Sequence, residues 1–442
     1  MNSLLLALCL LFSVLIASTL QLRTPLDEYV ALADPTYKYD VINSFEKDGM
    51  TMYNILLTSQ TYLTEKLVQP SLWQHWLQVC VPEVYDPNNQ LGFIYIDGGH
   101  NPISASNPPK KVLNPLGEIL CLSTGSVVAV LDQIPNEPVY FTQDPVHKHR
   151  TEDAEIAYTW RHFVNNTKEP FWLSRMPMTK AVVKAMDSIQ DFVNNNEHFA
   201  PFVKVNNFVV AGASKRGWTT WTTGAVDKRV VGIVPIVAPV AKLRESMMIM
   251  WKSYGAWSFA LEDYLDEDLM TFLRDPVFGE LLYIIDPLTY VDRLTMPKLV
   301  ICDTGDEFFM PNAAGRFTNL LKGETLLRMV ANAEHSLTGH QIDVTASVQT
   351  WYISLINNYR RPEFSWVIEA NGDITVTVDP NAVQPEKVLM FHGHNKHKRD
   401  FRLVVCGDIK NISCFNPIFW ASEELKPVSA GKYVAHMDTP SQ

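Results

Sequence analysis

A serine flanked by small residues follows an apolar run at 208–211. The chain reads GASKRG from Gly212 to Gly217 and then continues into a helical pattern. This order is typical of a nucleophile elbow, the sharp strand-to-helix turn that lifts a serine hydroxyl above a sheet edge. The usual spacing is G-x-S-x-G around Ser214, but Arg216 replaces the second glycine here. The alternative interpretation is a helix N-cap serine after a strand.

A nucleophilic serine needs a carboxylate that orients its base, and in α/β-hydrolases the order along the chain is serine, acid, histidine. An apolar run at 299–302 opens into an acidic loop well after the serine. Asp306, just past Gly305, is the predicted acid. Asp303 is the second choice, because it could still belong to the strand and not to the loop.

The base is expected after a further strand. The run 326–330 leads into a short loop that contains His335. His340 is the competitor, but it lies closer to the helix that follows. A single histidine after a strand is commonly structural, yet three groups at successive strand ends in this order favour catalysis. Ser214, Asp306 and His335 are therefore predicted to form a triad for acyl transfer.

Acyl transfer also needs backbone donors for the oxyanion of the tetrahedral intermediate. The amide after the serine, that of Lys215, is one predicted donor. The strand at 93–96 ends in a Gly98-Gly99 loop, whose missing side chains let amides approach a bound carbonyl. Gly99 or His100 is predicted to supply the second donor; an ordinary tight turn is the alternative.

These residues need a scaffold that brings strand ends together. Short β-branched or aromatic runs alternate with longer helical patterns, which indicates an α/β domain with helices on both faces of a mostly parallel sheet. The predicted strands are 72–81, 93–96, 126–131, 208–211, 230–237, 299–302 and 325–330. The predicted helices are 152–164, 179–193, 215–226, 313–321 and 344–358.

Two segments depart from this alternation. Residues 241–294 are helical and rich in bulky side chains, and we expect them to form a cap over the site, although they could instead be core. After residue 361 the sequence pattern changes to short runs of alternating apolar and polar residues, including a predicted hairpin with an Asn-Gly turn at 371–372. Further strands are expected at 388–391, 401–405 and 433–436. The predicted domains are a hydrolase domain at 20–361 and a small antiparallel, sandwich-like domain at 362–442.

The amino terminus predicts export. The first 20 residues carry no charged side chain, and their apolar run is shorter than the roughly 20 residues of a membrane span. Residues 1–19 are therefore predicted to be a signal peptide, and the protein to be secreted and extracellular. Asn165 and Asn411 begin glycosylation sequons. Five cysteines remain after cleavage, an odd number that leaves at least one thiol free or paired between chains.

The amino-acid composition limits the classes of molecule that the protein is expected to bind. The 442 residues are 47% apolar, and their net charge of -11 disfavours nucleic acid and anionic membranes. No membrane insertion and no cofactor are expected. Histidine clusters at 147–149 and 392–397 lack the acidic or cysteine partners of a closed metal site, so no metal is expected.

The chain resembles the PhoPQ-activated pathogenicity-related family. The resemblance rests on GASKRGWT from Gly212, on the pairs Glu152-Asp153 and Arg175-Met176, and on GDEFF from Gly305. It covers nearly the whole mature chain and includes the Arg in place of the second elbow glycine. That family has bacterial members and secreted amoebal members, and this chain is more similar to the latter.

The resemblance implies an α/β-hydrolase fold and two functions of different classes. One is a secreted serine hydrolase acting on a small ester or peptide, with Ser214, Asp306 and His335 where the family triad would fall. The other is a secreted autocrine signal that represses proliferation or repels cells through a surface receptor, with catalysis dispensable. Glu152, Glu262 or Asp263 could bind a peptide amine or simply face solvent.

Overall fold

The structure is a computed structural model that describes residues 23–109, 114–199, 202–395, 399–408, 410–416 and 418–436. Its strands are β1 (Lys38–Lys47), β2 (Met50–Thr61), β3 (Val68–Gln69), β4 (Leu72–Pro82), β5 (Leu91–Ile96), β6 (Val128–Leu131), β7 (Val139–Phe141), β8 (His149–Arg150), β9 (Asn207–Ala213), β10 (Val230–Ile236), β11 (Lys298–Asp303), β12 (Thr325–Val330), β13 (Phe364–Ile368), β14 (Ile374–Val378), β15 (Leu389–His392), β16 (Ala421–Glu424), β17 (Pro427–Ser429) and β18 (Lys432–Ala435).

The helices complete the alternation. The α-helices are α1 (Pro25–Ala31), α2 (Pro115–Thr124), α3 (Glu152–Asn165), α4 (Arg175–Asn195), α5 (Lys215–Val226), α6 (Leu243–Tyr254), α7 (Glu262–Asp266), α8 (Pro276–Ile285) and α9 (Gln341–Ile356). Short 3₁₀ helices lie at Pro170–Trp172, Phe259–Leu261, Leu269–Arg274, Pro287–Tyr290, Ala314–Arg316, Thr318–Leu320 and Ile412–Cys414.

A nine-stranded sheet of order β1-β2-β4-β6-β5-β9-β10-β11-β12 organises the molecule. From β6 to β12 all neighbours are parallel, whereas β4 is antiparallel to β2 and β6, and β1 is antiparallel to β2. Parallel strands point their carboxyl ends to one edge, where ligands of open α/β sheets bind. The loops after β9, β11 and β12 therefore meet at that edge.

Helices cover both faces of this sheet. On β9 the side chains of Phe208 and Val210 enter one core cluster, and those of Val209 and Ala211 enter the other. This alternation follows from the two-residue period of a strand. Helices α4 and α5 pack on the first face, and α2 and α9 pack on the second. Strands buried on both sides read as continuous apolar runs, which is why the sequence predicted them.

A helical insertion joins β10 to β11. It contains α6, α7 and α8 with three of the 3₁₀ turns. The α/β-hydrolase fold, with a mostly parallel sheet, this insertion and small antiparallel sheets near the carboxyl terminus, is confirmed. The exact domain limits at 20–361 and 362–442, and those of the cap at 241–294, stay predictions.

Antiparallel pairing dominates the carboxyl-terminal segment. One sheet has the order β13-β14-β18-β17, and β15 pairs with β16. The hairpin of β13 and β14 has the predicted turn, with Gly372 at φ +94. That φ lies in the left-handed region that glycine tolerates.

Two predicted elements are wrong. Residues 313–321 do not form one helix but two 3₁₀ turns, with Phe317 between them at φ -131 and completely buried beside Trp221. The packing of that ring overrides a weak helical pattern that contains Gly315. Residues 401–405 do not form a strand, because the Leu403 N–H donates to Gly305 instead, and Val404 makes only an isolated bridge to Phe415. The sequence analysis also missed α1, β1, β2 and α2.

Four of the described cysteines are paired. Cys80 on β4 is joined to Cys121 on α2, and Cys406 is joined to Cys414. Cys302, buried on β11, is the free thiol among the described residues. The first bridge fastens α2 to the sheet, and the second closes a short carboxyl-terminal loop.

The features that predict secretion are the amino-terminal segment and two sequon asparagines. The predicted signal peptide at 1–19 lies outside the described residues. Asn165 and Asn411 are both exposed, as acceptors of a glycan must be. Within the part of the chain that the structure describes, no helix has the length and apolar character needed to cross a membrane.

Candidate active site

Ser214 lies between β9 and α5 in an unusual backbone conformation. Its φ is +55 and its ψ is -122, a region that costs a residue with a side chain about 1–3 kcal/mol. The Ser214 N–H donates to the carbonyl of Ile236 at the end of β10, at 2.8 Å. The turn is therefore held against the neighbouring strand with the serine at its apex, as in a nucleophile elbow.

Two glycines make this turn possible. A Cβ on Gly212 would lie 2.7 Å from the carbonyl oxygen of Arg216, and one on Gly217 would lie 2.7 Å from the Ala238 Cβ. Both separations are below van der Waals contact, so only glycine lets α5 approach the strands this closely. Gly217 thus supplies the close approach one place later than the usual spacing, and Arg216 is free to carry a side chain.

The structure brings Ser214, His335 and Asp306 into one hydrogen-bonded series. The Ser214 Oγ lies 2.8 Å from His335 Nε2, and His335 Nδ1 lies 2.9 Å from Asp306 Oδ2. With the proton on Nδ1 donated to the carboxylate, Nε2 accepts from the serine hydroxyl. The residues come from the loops after β9, β12 and β11, which the sheet order places at one edge.

The environment of His335 favours its cationic form. Burial lowers the pKa of His335, but the Asp306 and Glu307 carboxylates together raise it by more, since both stabilise the imidazolium by charge and Asp306 also accepts a hydrogen bond from it. The pKa of His335 therefore lies above its ordinary value. The Phe308 ring, whose centroid is 4.4 Å from that of the imidazole, covers the pair.

The two candidate acids have different surroundings. Asp306 is 3% exposed, and its Oδ1 accepts the N–H groups of Phe308 and Phe309 at 2.6 and 3.1 Å. Asp303 is also buried, but burial and the nearby Asp306 carboxylate raise its pKa well above the ordinary value. The histidine in contact with Asp306 is His335; His340 instead lies at the start of α9.

The predicted oxyanion donors lie in two places. Lys215 is the first residue of α5, so its N–H has no partner within the helix. In the loop after β5, a Cβ on Gly98 would lie 2.7 Å from an Arg216 nitrogen, so this loop packs beside the elbow. Gly99 has φ +131, and the His100 side chain is exposed near Glu137. The roles of Lys215, Gly99 and His100 stay predictions.

Paired charges surround the elbow. The Arg216 guanidinium donates to both oxygens of Glu152, at 2.8 and 2.6 Å. The Lys215 Nζ lies 2.6 Å from Glu152 and 3.0 Å from Asp153. These cations hold the pKa of Glu152 at about 2 despite its burial. Glu152 is therefore ionised and already engaged by two side chains, which weakens its interpretation as a binder of a peptide amine.

A cavity of about 620 Å³, its open mouth included, lies between the elbow and the helical insertion. Its polar lining consists of Ser214, Lys215, Asp153, Arg175 and Tyr264. The remaining lining is apolar and comes largely from the insertion: Trp160, Trp218, Val240, Leu243, Met247, Leu261, Leu269, Met270, Leu273, Phe278, Phe308 and Phe309. Glu262 and Asp263, the other candidate amine binders, are not among the lining residues.

Two charged residues in the first turns of α3 and α4 contact the surroundings of Ser214, which was not predicted from the sequence. Arg175, at the start of α4, is buried and donates to the Lys215 carbonyl at 2.8 Å. Asp153 on α3 accepts from the Tyr264 hydroxyl of the insertion at 2.8 Å. Among the described residues, no group of three potential metal ligands comes together.

The fold and the geometry around Ser214 define the α/β-hydrolase class. Residues 26–402 match the PhoPQ-activated pathogenicity-related protein family, so the chain belongs to that family and the resemblance is confirmed. It is also similar to autocrine proliferation repressor protein A of Dictyostelium discoideum. The two are 43% identical over 445 residues, which cover 98% of this chain and 86% of the relative.

Solved structures with low sequence identity were also found. Acetyl xylan esterase 1 from a Thermoanaerobacterium species is 14% identical with a TM-score of 0.47, over 76% of this chain and 93% of that chain. Glucuronoyl esterase from Solibacter usitatus is 12% identical with a TM-score of 0.43, over 75% of this chain and 91% of that chain.

The elbow glycines are expected to resist substitution. Gly212→Ala should lower the free energy of unfolding by about 1–3 kcal/mol, because the new Cβ overlaps the Arg216 carbonyl. Urea denaturation measures this loss. Gly315→Ala is the matched control, since a Cβ there meets nothing within 4 Å. Equal effects of the two substitutions would contradict the close approach at the elbow.

The Asp306–His335 contact is expected to control the imidazole pKa. Asp306→Asn removes the charge that stabilises the imidazolium, so the pKa of His335 should fall by about one unit or more. NMR titration of isotope-labelled histidine, assigned with His335→Ala, measures it. Asp303→Asn should leave this pKa nearly unchanged, because the carboxylate that contacts His335 Nδ1 is that of Asp306. A larger effect of Asp303→Asn would reverse the assignment of the acid.

Proposed function

We propose that this protein is a secreted serine hydrolase that cleaves a small ester or a peptide amide. The observation that carries the proposal is the series of contacts from Ser214 Oγ to His335 at 2.8 Å and from His335 to Asp306 at 2.9 Å. A serine hydroxyl becomes a nucleophile when a positioned base removes its proton. Here the base is oriented by the buried carboxylate of Asp306.

The reaction begins when the substrate carbonyl lies above Ser214. His335 Nε2 takes the hydroxyl proton as Oγ bonds to the carbonyl carbon, and the carbonyl electrons move to oxygen. The Lys215 N–H, with Gly99 or His100, stabilises this oxyanion. Collapse of the intermediate breaks the bond to the leaving group, which receives the proton from the imidazolium.

The second half of the reaction releases the acyl group. His335 removes a proton from water, which attacks the acyl carbonyl, and the proton then passes to Ser214 Oγ as the acid product leaves. Asp306 stays ionised throughout and keeps the imidazole in the reactive tautomer. The apolar wall of the cavity binds an apolar group of the substrate and excludes water.

Secretion is supported by three features of the chain. The apolar amino terminus has the length of a signal peptide. Two disulfides are typical of proteins that fold in an oxidising compartment. Both sequon asparagines, Asn165 and Asn411, are exposed and could carry glycans.

Activation of Ser214 is expected to make the purified protein react with a fluorophosphonate probe. Ser214→Ala should abolish labelling because the nucleophile is absent, and His335→Ala should nearly abolish it because the base is absent. The labelling rate of the wild type should rise with pH through the His335 pKa, since only neutral imidazole accepts the proton. Gel fluorescence measures the labelling.

Ser336→Ala serves as the matched control, since Ser336 is exposed next to His335 in sequence and is bonded to Glu334. It should label like the wild type. A folded wild type that does not label would contradict the hydrolase proposal. Labelling would be followed by a screen of esters and dipeptide amides.

A second candidate function is an autocrine signal that represses proliferation or repels cells through a surface receptor. It is favoured by the 43% identity over 98% of this chain to a protein named an autocrine proliferation repressor. The two functions are compatible, because receptor binding and hydrolysis could use different surfaces. In this candidate the triad is dispensable for the effect on cells.

Purified wild-type and Ser214→Ala proteins, added to proliferating cells of the source organism, distinguish these roles. For a receptor-binding signal we expect equal slowing of growth by both proteins. Ser214→Ala removes one hydroxyl group and is expected to leave the receptor-binding surface unchanged. Loss of repression with Ser214→Ala would instead attribute the effect on cells to hydrolysis. Cell counts over several doublings measure the outcome, with heat-denatured protein as the blank.

A further inference from the structure

Arg175 is a buried cation in the wall of the cavity that opens at Ser214. It is 2% exposed, and its Nη1 donates to the Lys215 carbonyl at 2.8 Å. The guanidinium carbon lies 4.2 Å from the centroid of the Trp218 ring. Its Nε is buried and makes no hydrogen bond among the described residues. One donor of the guanidinium is therefore unused.

No carboxylate of the described residues lies within ion-pair distance of Arg175. Asp153, which also lines the cavity, already accepts from the Lys215 Nζ at 3.0 Å and from the Tyr264 hydroxyl at 2.8 Å. Burial raises the pKa of Glu155 well above its ordinary value, and neither oxygen of this neighbouring carboxyl group makes a hydrogen bond among the described residues. Burial also lowers the pKa of Arg175, to about 10, which still leaves it charged at neutral pH.

The charges on the cavity wall do not balance. The Lys215 Nζ is paired with both Asp153 and Glu152, so the charge of the cavity wall left without a carboxylate partner among the described residues is that of Arg175. The other side chains around the cavity are mainly apolar and aromatic. Removing a charge from water without a partner is unfavourable. A bound molecule that presents an anion to Arg175 and an apolar group to the walls would complement this cavity.

We propose that Arg175 binds a carboxylate of the substrate, so that the preferred substrate is an ester or amide whose apolar part carries a carboxylate. The proposal rests on the proposed hydrolase function and names its substrate class. The Arg175 guanidinium, which has no carboxylate partner among the described residues, is the donor to the carboxylate, and charge-assisted bonds of this kind are strong. The carboxylate could belong to the acyl part or to the leaving part, such as a carboxyl-terminal amino acid.

Binding can be tested without turnover. Ser214→Ala protein is melted with N-acetylphenylalanine and with the corresponding neutral amide. We expect the acid to raise the Tm in a concentration-dependent way and the amide to have little effect, because a ligand that binds the folded state stabilises it. Adding Arg175→Met to Ser214→Ala should abolish the shift. Arg274→Met, a matched change on the exposed surface of the insertion, should preserve it.

Kinetics with matched substrates identify the position of the carboxylate. One pair is a 4-nitrophenyl monoester of an eight-carbon dicarboxylic acid and its methyl-capped neutral form. The other pair is an acylated dipeptide with carboxyl-terminal phenylalanine, as acid and as amide. We expect kcat/KM to favour the acid at least tenfold in one pair. Arg175→Met should remove the preference, and Arg274→Met should retain it.

The outcomes separate this proposal from the hydrolase proposal. If the probe labels Ser214 and neutral esters are cleaved, but acids have no advantage in binding or kinetics, the carboxylate site is wrong and hydrolysis stands. If no labelling or turnover occurs, the hydrolase proposal fails, and the melting shift of Ser214→Ala still decides carboxylate binding. Should Arg175→Met fail to fold, the acid and amide pairs on the wild type and on Arg175→Lys decide it.

Discussion

The close approach of α5 to β9 at Ser214 is the constraint on which the site depends. The serine adopts a backbone conformation that glycine would adopt more easily, and the bond from its N–H to Ile236 holds it there. No larger residue fits at Gly212 or Gly217, because backbone and Ala238 atoms occupy the space that a Cβ would need. Packing of the core thereby offsets local strain and raises the hydroxyl above the edge of the sheet.

The acid and histidine loops are joined to each other before they meet the serine. The Gly305 N–H donates to the Ala333 carbonyl at 2.9 Å, and the Asn332 N–H donates to the Thr304 hydroxyl at 2.9 Å. The carboxyl-terminal segment supports the same loops: the Leu403 N–H bonds Gly305, and Asn332 exchanges two hydrogen bonds with the Trp420 backbone. This segment therefore supports the loops that carry Asp306 and His335.

Charge pairing explains why an arginine can follow the elbow serine. The Arg216 guanidinium lies against Gly98 and is neutralised by Glu152, so it connects the elbow, the loop after β5 and the start of α3. Lys215 extends the same network to Asp153 and, through Tyr264, to the helical insertion. Side chains next to Ser214 thus position the cavity wall, and Arg175 is the cation in this region without a carboxylate partner among the described residues.

The sequence by itself determined the parallel core and the order of the three site residues. Strands buried on both faces must be apolar throughout, and Ser214, Asp306 and His335 each follow such a run. Only the tertiary structure showed that His335 contacts Ser214 and Asp306, whereas His340 and Asp303 make no such contact among the described residues. Contacts between loops depend on the direction of each side chain, which composition does not give. The tertiary structure also determined the conformation of segments with weak local patterns, such as 313–321 and 401–405. It likewise determined the position of Arg175 in the cavity wall. These depend on contacts between residues far apart in the chain, such as Phe317 with Trp221 and Leu403 with Gly305, and local patterns do not encode such contacts.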